Sequence, residues 1–420
     1  MKRARHLLWL QRPDGTAVVG NAVRLSIAYL DKPELVAEVR NFVENGVEPA
    51  ALADDTRELL QGCKAILGDL DWEPQSPLDM NPVSYSIPHG VIHLPARIAK
   101  RHVVLQQAVS SIARRLENNG VLEVVIWSPN PTKDIAEIKE IAAPLRRFAA
   151  SLRKQLFLDI WIHTPANTTL KSVMPWAQRS EVGLKINLRL PNGDNPTPED
   201  ERIDGNLRLM VAKDIPVCLQ AKITQRNLDK MIPAARHFSD LTNGYGGINF
   251  APVEPFNRDG SPNPPELLPD IDKYALNLVA IYEMQLVADD MFYPVNQLRR
   301  RLARGVCSPQ CGCSETNMAS IDTEGKIYAC DGLRRIRSFA QDNAVSETNY
   351  QMPQRCEMCQ WKFFCGLPCL AMIQFLEANA PQEVGRYASD AFCIPRKRLL
   401  ETLIGDIVDE SVQASSQRSP

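Results

Sequence analysis

Several things are scarce in this chain, and each scarcity excludes something. No run of about 18 apolar residues occurs, so no membrane-spanning helix is expected. The N-terminus, MKRARHLLWLQRPDG, has a basic start but an apolar run only from Leu7 to Leu10, too short for the core of a signal peptide. A cytoplasmic location is therefore expected. Charge of one sign is not in excess: 48 Lys and Arg face 50 Asp and Glu, for a formal net charge of −2. Without a basic stripe, a nucleic-acid partner is excluded. Without a basic amphipathic helix, so is attachment to a membrane surface. There is no internal repeat. Histidine is rare, with six scattered residues, and before Cys307 the only cysteines are Cys63 and Cys218.

What is present is concentrated at the other end. Nine of the eleven cysteines lie between Cys307 and Cys393. Cys356, Cys359, Cys365 and Cys369 read C-x2-C-x5-C-x3-C; Cys307, Cys311, Cys313 and Cys330 precede them and Cys393 follows. Thiols this dense are metal ligands or disulfides. In a cytosolic chain thiols stay reduced, which favours metal; an exported chain would favour disulfides. Zinc sites are usually built from two short C-x2-4-C or H-x3-5-H arms, and only Cys356 and Cys359 form one here. Iron–sulfur clusters accept longer and irregular spacings, because loops wrap a bulky cubane. Two four-cysteine sites need eight thiolates, and the region offers one more than that. Zinc remains the alternative.

The middle of the chain alternates. Val121–Trp127, Leu156–Thr164, Leu184–Leu190, Val217–Ile223 and Gly247–Phe250 read as buried strands. Asp134–Leu152, about Gly205–Lys213 and Asn227–His237 read as amphipathic helices between them. Strands alternating with helices imply βαβ units, a parallel sheet and the α/β class. Nearer the N-terminus, Arg24–Leu30 reads as a strand, and Lys32–Asn45 and Ala51–Leu70 as helices, with Gly46 as a C-cap signal after the first. A linker rich in Pro, Asp and Asn, Asp71–Pro82, follows.

The string Cys313-x11-Gly325-x4-Cys330, then Cys356-x2-Cys359-x5-Cys365-x3-Cys369, then Cys393, resembles the SPASM domain, the two-cluster module of peptide-modifying radical S-adenosylmethionine (SAM) enzymes. The segment Ile321–Cys330 resembles the hairpin that delivers one ligand in that family. The resemblance covers roughly residues 305–400. It implies a partial (β/α) TIM-like radical SAM barrel with a small α+β N-terminal region and a cysteine-rich C-terminal SPASM domain. The boundaries it suggests are 1–75, 76–300 and 301–400, with 401–420 a partly disordered tail. It also implies two auxiliary [4Fe–4S] clusters. Cys307, Cys313, Cys330 and Cys369 would hold the first; Cys356, Cys359, Cys365 and Cys393 would hold the second. Cys311 is then spare, although it could trade places with Cys307 or Cys313. The N-terminal region weakly resembles a winged-helix domain that binds leader peptides; a plain cap on the barrel is the competing reading.

The departures from the family matter as much as the match. Active members carry C-x3-C-x2-C soon after the first barrel strand, and the segment expected to hold it, Ser86–Ile98, has no cysteine. After Val121–Trp127 the family shows a Gly-Gly-Glu-Pro turn; here the residues are Ser128-Pro129-Asn130-Pro131. Two parts of the cofactor site are missing together, so SAM is not expected to be cleaved. Cys307-x3-Cys311-x1-Cys313 falls one residue short of the triplet. Three functional readings follow. One is a non-catalytic or electron-relay iron–sulfur protein acting with a precursor peptide or protein, a catalytic radical SAM enzyme, or both. Another is an enzyme using an auxiliary iron or iron–sulfur site. The last is a structural zinc or iron protein.

Other features read plainly. His89 and His93 are expected in a surface loop between Pro88 and Pro95, and Asp194–Asp204 in an acidic solvated loop. Arg299, Arg300, Arg301 and Arg304 should form the polar face of a helix, and Arg334, Arg335 and Arg337 a solvated basic face.

Overall fold

The computed structural model describes residues 1–24, 26–68, 71, 73, 87–114, 116–151, 156–188, 190, 198–255, 263–304, 318–328, 331, 334, 354–357, 359–366 and 382–416. The chain opens with a small α+β unit. Strands β1 (Lys2–Arg3), β2 (Leu7–Gln11), β3 (Ala17–Asn21) and β4 (Ser26–Leu30) precede helices α1 (Pro33–Asn45) and α2 (Asp54–Gly62) and strand β5 (Ile66–Leu67). β2, β3 and β4 form an antiparallel sheet, and β1 pairs with β5. The β2–β3 hairpin turns at Pro13-Asp14-Gly15, where the Gly15 N–H donates to the Arg12 carbonyl at 3.1 Å and Gly15 takes φ +89°. A side chain would resist that backbone, which is why glycine sits there. Gly46 caps α1 in the left-handed conformation, as its position suggests. α2 is much shorter than Ala51–Leu70 predicts: it ends at Gly62, and the apolar Ala65, Ile66 and Leu67 are buried in and beside β5.

Every residue of β3 is buried, because its sheet is covered on both faces. Ala17, Val19 and Leu30 pack with Val39, Phe42 and Leu60 of α1 and α2. Leu8, Val18 and Ala22 belong to the main core, with Trp361, Phe363 and Phe364 from the cysteine-rich segment.

Among the described residues, the main sheet has nine strands. β6 (Ile87–Pro95), β7 (Leu116–Trp127), β8 (Phe157–Pro165), β9 (Gly183–Leu188), β10 (Val217–Ile223), β11 (Gly247–Pro252) and β12 (Phe292–Tyr293) lie side by side in chain order, all parallel. Helices α3 (Arg101–Ala113), α4 (Ile135–Ser151), α5 (Met174–Ser180), α6 (Pro198–Val211), α7 (Met231–Thr242) and α8 (Ile271–Glu283) connect them. β13 (Met318–Ile321) runs parallel to β6 and antiparallel to β14 (Ile327–Tyr328), so the hairpin expected in Ile321–Cys330 is present in its described part. Helix α9 (Val295–Arg304) leads out of the sheet, as the arginines suggested, although Arg301 is buried rather than solvated. Two last helices, α10 (Gln354–Glu357) and α11 (Gln382–Ser416), carry Cys356 and Cys393.

Three expectations are corrected. His89 and His93 stand in strand β6, because Pro88 and Pro95 fall at its ends and leave its interior amides free to pair. Pro198–Asp204 is the first part of α6; a proline suits the first turn of a helix, where an N–H has no partner anyway. The tail 401–420 is helical through Ser416, with Leu403, Ile404 and Val408 buried. No described helix is long and apolar enough to cross a membrane.

Candidate functional site

Residues alternate across the parallel strands, and the two faces differ sharply. One face carries Ile92, Leu94, Leu122, Val124, Ile126, Ile160, Ile162, Leu184, Ile186, Leu219 and Ile248, all in the core that the helices cover. The other face carries His89, His93, Glu123, Asp159, Trp161, His163, Lys185, Asn187, Cys218, Gln220 and Asn249. Parallel sheets buried on both faces read as unbroken apolar runs. Here a period of two is written into VLEVVIW, LDIWIHT and LKINL, and it makes one face polar.

Glu123 is the centre of that face. Its Oε1 accepts a short hydrogen bond from Lys185 Nζ, two strands away, and its Oε2 lies 3.2 Å from His89 Nε2. Burial would raise the Glu123 pKa. The His89 hydrogen bond and the Lys185 charge overcome it and hold the carboxyl at about 2. The Lys185 ammonium also stands 5.4 Å from the Trp161 ring centroid. Trp161 reaches this place because position 183 is glycine: a Cβ there would sit 2.6 Å from the ring. Trp161 Nε1–H donates to Asp159 Oδ2 at 2.6 Å. Burial still pushes the Asp159 carboxyl upward, although the Trp161 hydrogen bond opposes it. His163 Nε2 lies 2.6 Å from Asn187 Oδ1, and burial pushes the pKa of both His163 and His93 down. Burial raises the Cys218 thiol to about 11, so it stays protonated. The sequence reading missed Glu123, Asp159, Lys185 and His163. Their only signal was a polar residue at every second place in an otherwise apolar run.

Where β6 leaves the sheet, the connection to α3 is short. Ala96 to Lys100, five residues, separate Pro95 from Arg101. They are tied down on three sides. Ala96 N–H donates to Trp127 O and Ala99 N–H to Thr323 O, both at 3.0 Å. Arg97 pairs with Asp134 at 3.0 Å and Glu137 at 3.5 Å. The turn after β7 is closed on itself as well: buried Ser128 donates its hydroxyl to Asp134 Oδ2 at 2.8 Å. The eight-residue C-x3-C-x2-C span is longer than the whole β6–α3 connection, and no thiol stands there. These residues do not fit a SAM-binding cluster.

The cysteines fall into two groups. Cys307, Cys311, Cys313, Cys330 and Cys369 lie outside the described residues, as do Arg335 and Arg337. Cys356, Cys359, Cys365 and Cys393 are described, and none is in a disulfide. The Cys356 thiol hydrogen-bonds to Cys393, which raises Cys356 and lowers Cys393 to about 7; burial opposes the fall and Arg355 supports it. Arg355 Nη2–H reaches the Cys393 sulfur at 3.9 Å and Arg355 Nη1 the Asp390 carboxylate at 2.9 Å. Cys359 and Cys356 share a turn, the Cys359 N–H donating to the Cys356 carbonyl at 3.2 Å. Cys359 and Cys365 pack against the core beside Trp361, Phe363 and Phe364. Among the described residues, no group of three or more His, Cys, Asp and Glu is closed to metal-binding geometry. The donor chemistry nevertheless suits a soft or borderline metal: thiols outside any disulfide, that of Cys393 lowered, beside guanidinium and apolar cover.

No protein-family model matches the chain, and no curated protein matches it in sequence. Solved structures do. Native anSMEcpe with bound AdoMet shares 12% identity over 78% of this chain and 100% of its own, at a TM-score of 0.52. Native anSMEcpe with bound AdoMet and the Cp18Cys peptide gives 11% identity, 78% and 100% coverage, and a TM-score of 0.53. A looser likeness, at 12% identity and a TM-score of 0.49, runs over 93% of this chain and 99% of Streptococcus suis SuiB bound to the precursor peptide SuiA. The anSMEcpe likeness shows the fold alone: a mixed α/β chain on a mostly parallel nine-stranded sheet.

Proposed function

We propose that this chain is a degenerate radical SAM/SPASM protein: a cluster-bearing partner in peptide or protein modification that does not cleave SAM itself. The observation that carries the reading is the β6–α3 connection, five residues long, without cysteine and pinned by Arg97 and Ala99. The likeness to anSMEcpe, solved with AdoMet and a peptide, supports a peptide or protein as the binding partner. Under this reading the sheet is a partial barrel, residues 1–75 a recognition unit or cap, 76–300 the barrel and 301–400 the cluster domain. A catalytic radical SAM enzyme would supply the chemistry.

Cys356, Cys359, Cys365 and Cys393 would hold one auxiliary [4Fe–4S] cluster, and Cys307, Cys313, Cys330 and Cys369 the other, with Cys311 spare. Bound clusters would supply one-electron transfer over a potential range set by burial and hydrogen bonding. The chain's own residues supply that setting. Arg355 places positive charge beside Cys393. Buried Lys362 donates to the Glu357 carbonyl at 2.6 Å and adds a second positive charge near Cys359. Trp361, Phe363 and Phe364 exclude water. On the polar face, the hydrogen bonds with Lys185 and His89 hold Glu123 ionised, with Asp159 and His163 on the same face. That cluster favours, as a second reading, an enzyme with its substrate on this face and its redox centre at an auxiliary cluster.

Calorimetry with SAM on anaerobically purified, reduced protein, followed by product analysis, tests the first reading. No binding and no deoxyadenosine are expected. Deoxyadenosine formation would overturn it.

A further inference from the structure

The outer, helical side of the sheet carries a feature that the cysteines and the polar face leave unused. Between α3 and α4 lie two adjoining cavities of about 300 and 690 Å³, which share His102, Pro144 and Arg147 in their walls. The floor of the smaller one is apolar, built from Leu105, Val109 and Phe148. Its rim is basic. Exposed His102, Lys139 and Arg147 have no anionic partner among the described residues, while Glu140, the one carboxylate lining these cavities, is taken by Arg101.

Spacing gives the groove a direction. Arg101, Leu105 and Val109 follow one another at every fourth residue along α3; Lys139, Ala143 and Arg147 do the same along α4. Eight residues of helix rise about 12 Å, so the groove is roughly two helical turns long. Its apolar floor and unpaired cationic rim have one natural complement: an apolar stripe flanked by carboxylates, the pattern of a helix lying in a groove. Net charge argues against a nonspecific basic surface, since the chain as a whole is slightly acidic at −2. The excess of positive charge here is local.

We propose that the α3–α4 groove docks an acidic amphipathic helix of a peptide or protein partner. The proposal does not depend on the metal reading or on the fate of SAM, since neither α3 nor α4 carries a cysteine.

The test uses the full chain and three fluorescein-labelled synthetic 16-residue helical peptides, read by fluorescence anisotropy at low salt. One has Leu at every third or fourth position with Glu on both flanks, the second has Lys for every Glu, and the third has Ser for every Leu. The acidic Leu peptide is expected to bind at least about tenfold more tightly than either control. The double variant Lys139→Glu, Arg147→Glu should lose about tenfold or more of that affinity, because rim charges act over a short screened range. Both substituted residues are exposed, and the peptide controls test the same point on unchanged protein. Equal binding of the Glu and Lys peptides, or affinity unaffected by the double variant, would overturn the proposal. So would sedimentation showing a wild-type dimer that the double variant abolishes, which would make the groove a contact between two copies of this chain.

Discussion

Glu123 is the residue on which the polar face turns. It is largely shielded from water, with 14% of its side chain exposed, yet it stays ionised because Lys185 and His89 surround it. Its folded-state pKa, about 2, lies below the ordinary 4.5. The stability it contributes is therefore fully present above about pH 4.5 and lost as pH falls toward 2. A difference of that size corresponds to about 3 kcal/mol. Glu123→Gln should lower stability by about that amount at pH 7 and flatten acid unfolding between pH 5 and 2, as read by chemical denaturation at several pH values. An unchanged acid profile would show that Glu123 is not held in this state. The proposed ligand cysteines make a second residue-scale contrast. Cys359→Ala should cost about half of the bound iron and destabilise the C-terminal third, because metal binding and folding are coupled. Cys63→Ala, in the N-terminal core beside Phe42 and Leu60, should leave iron content unchanged. Iron lost with Cys63 would redraw the ligand assignment. The cysteine spacing was legible as spacing alone: nine fall between Cys307 and Cys393, five of them outside the described residues. Glu123, Asp159 and Lys185 were not, because they meet only across three strands, Glu123 and Lys185 being 62 positions apart.

At the scale of elements, the strands from β7 to β11 were legible because each is a short stretch rich in β-branched and apolar residues set between helical stretches. β6 was hidden by its terminal prolines, and the β2–β3 hairpin by its shortness, although Pro13-Asp14-Gly15 marked its turn. The end of α2 was hidden because Ala65–Leu67 continues an apolar pattern while the backbone turns into β5. The β13–β14 hairpin carries a prediction of its own. Gly325 takes φ +85°, and a Cβ there would meet the Ala99 carbonyl at 2.7 Å. Gly325→Ala should cost about 2 kcal/mol through both the left-handed backbone and the clash. It should also speed hydrogen exchange at the Ala99 amide, whose partner is Thr323 O. Unchanged exchange at Ala99 would mean that the hairpin does not hold the β6–α3 connection.

On the scale of the whole molecule, the N-terminal unit and the cysteine-rich segment are one packed body. The Trp9 N–H donates to Gln360 Oε1 at 3.0 Å, His6 stacks edge-on against Phe363 with centroids 4.7 Å apart, and Arg12 grips Asp409 with two hydrogen bonds of 2.6 and 2.8 Å. Under the proposed ligand assignment, Cys359→Ala should therefore also loosen the β2–β4 sheet, since Leu8 and Val18 share a core with Trp361 and Phe363. None of this docking was legible in the sequence, because the partners are some 350 to 400 positions apart and no periodicity links them. The α/β class was legible, since it is written in the local alternation of strands and helices.

Under the proposed function, the chain would hold two auxiliary clusters and lack the one that cleaves SAM. Iron, acid-labile sulfide and zinc per chain, measured on protein purified without oxygen, test this most directly. Two clusters and no third predict about eight iron and eight sulfide with no zinc. About twelve iron would contradict the loss, and zinc without sulfide would contradict the clusters.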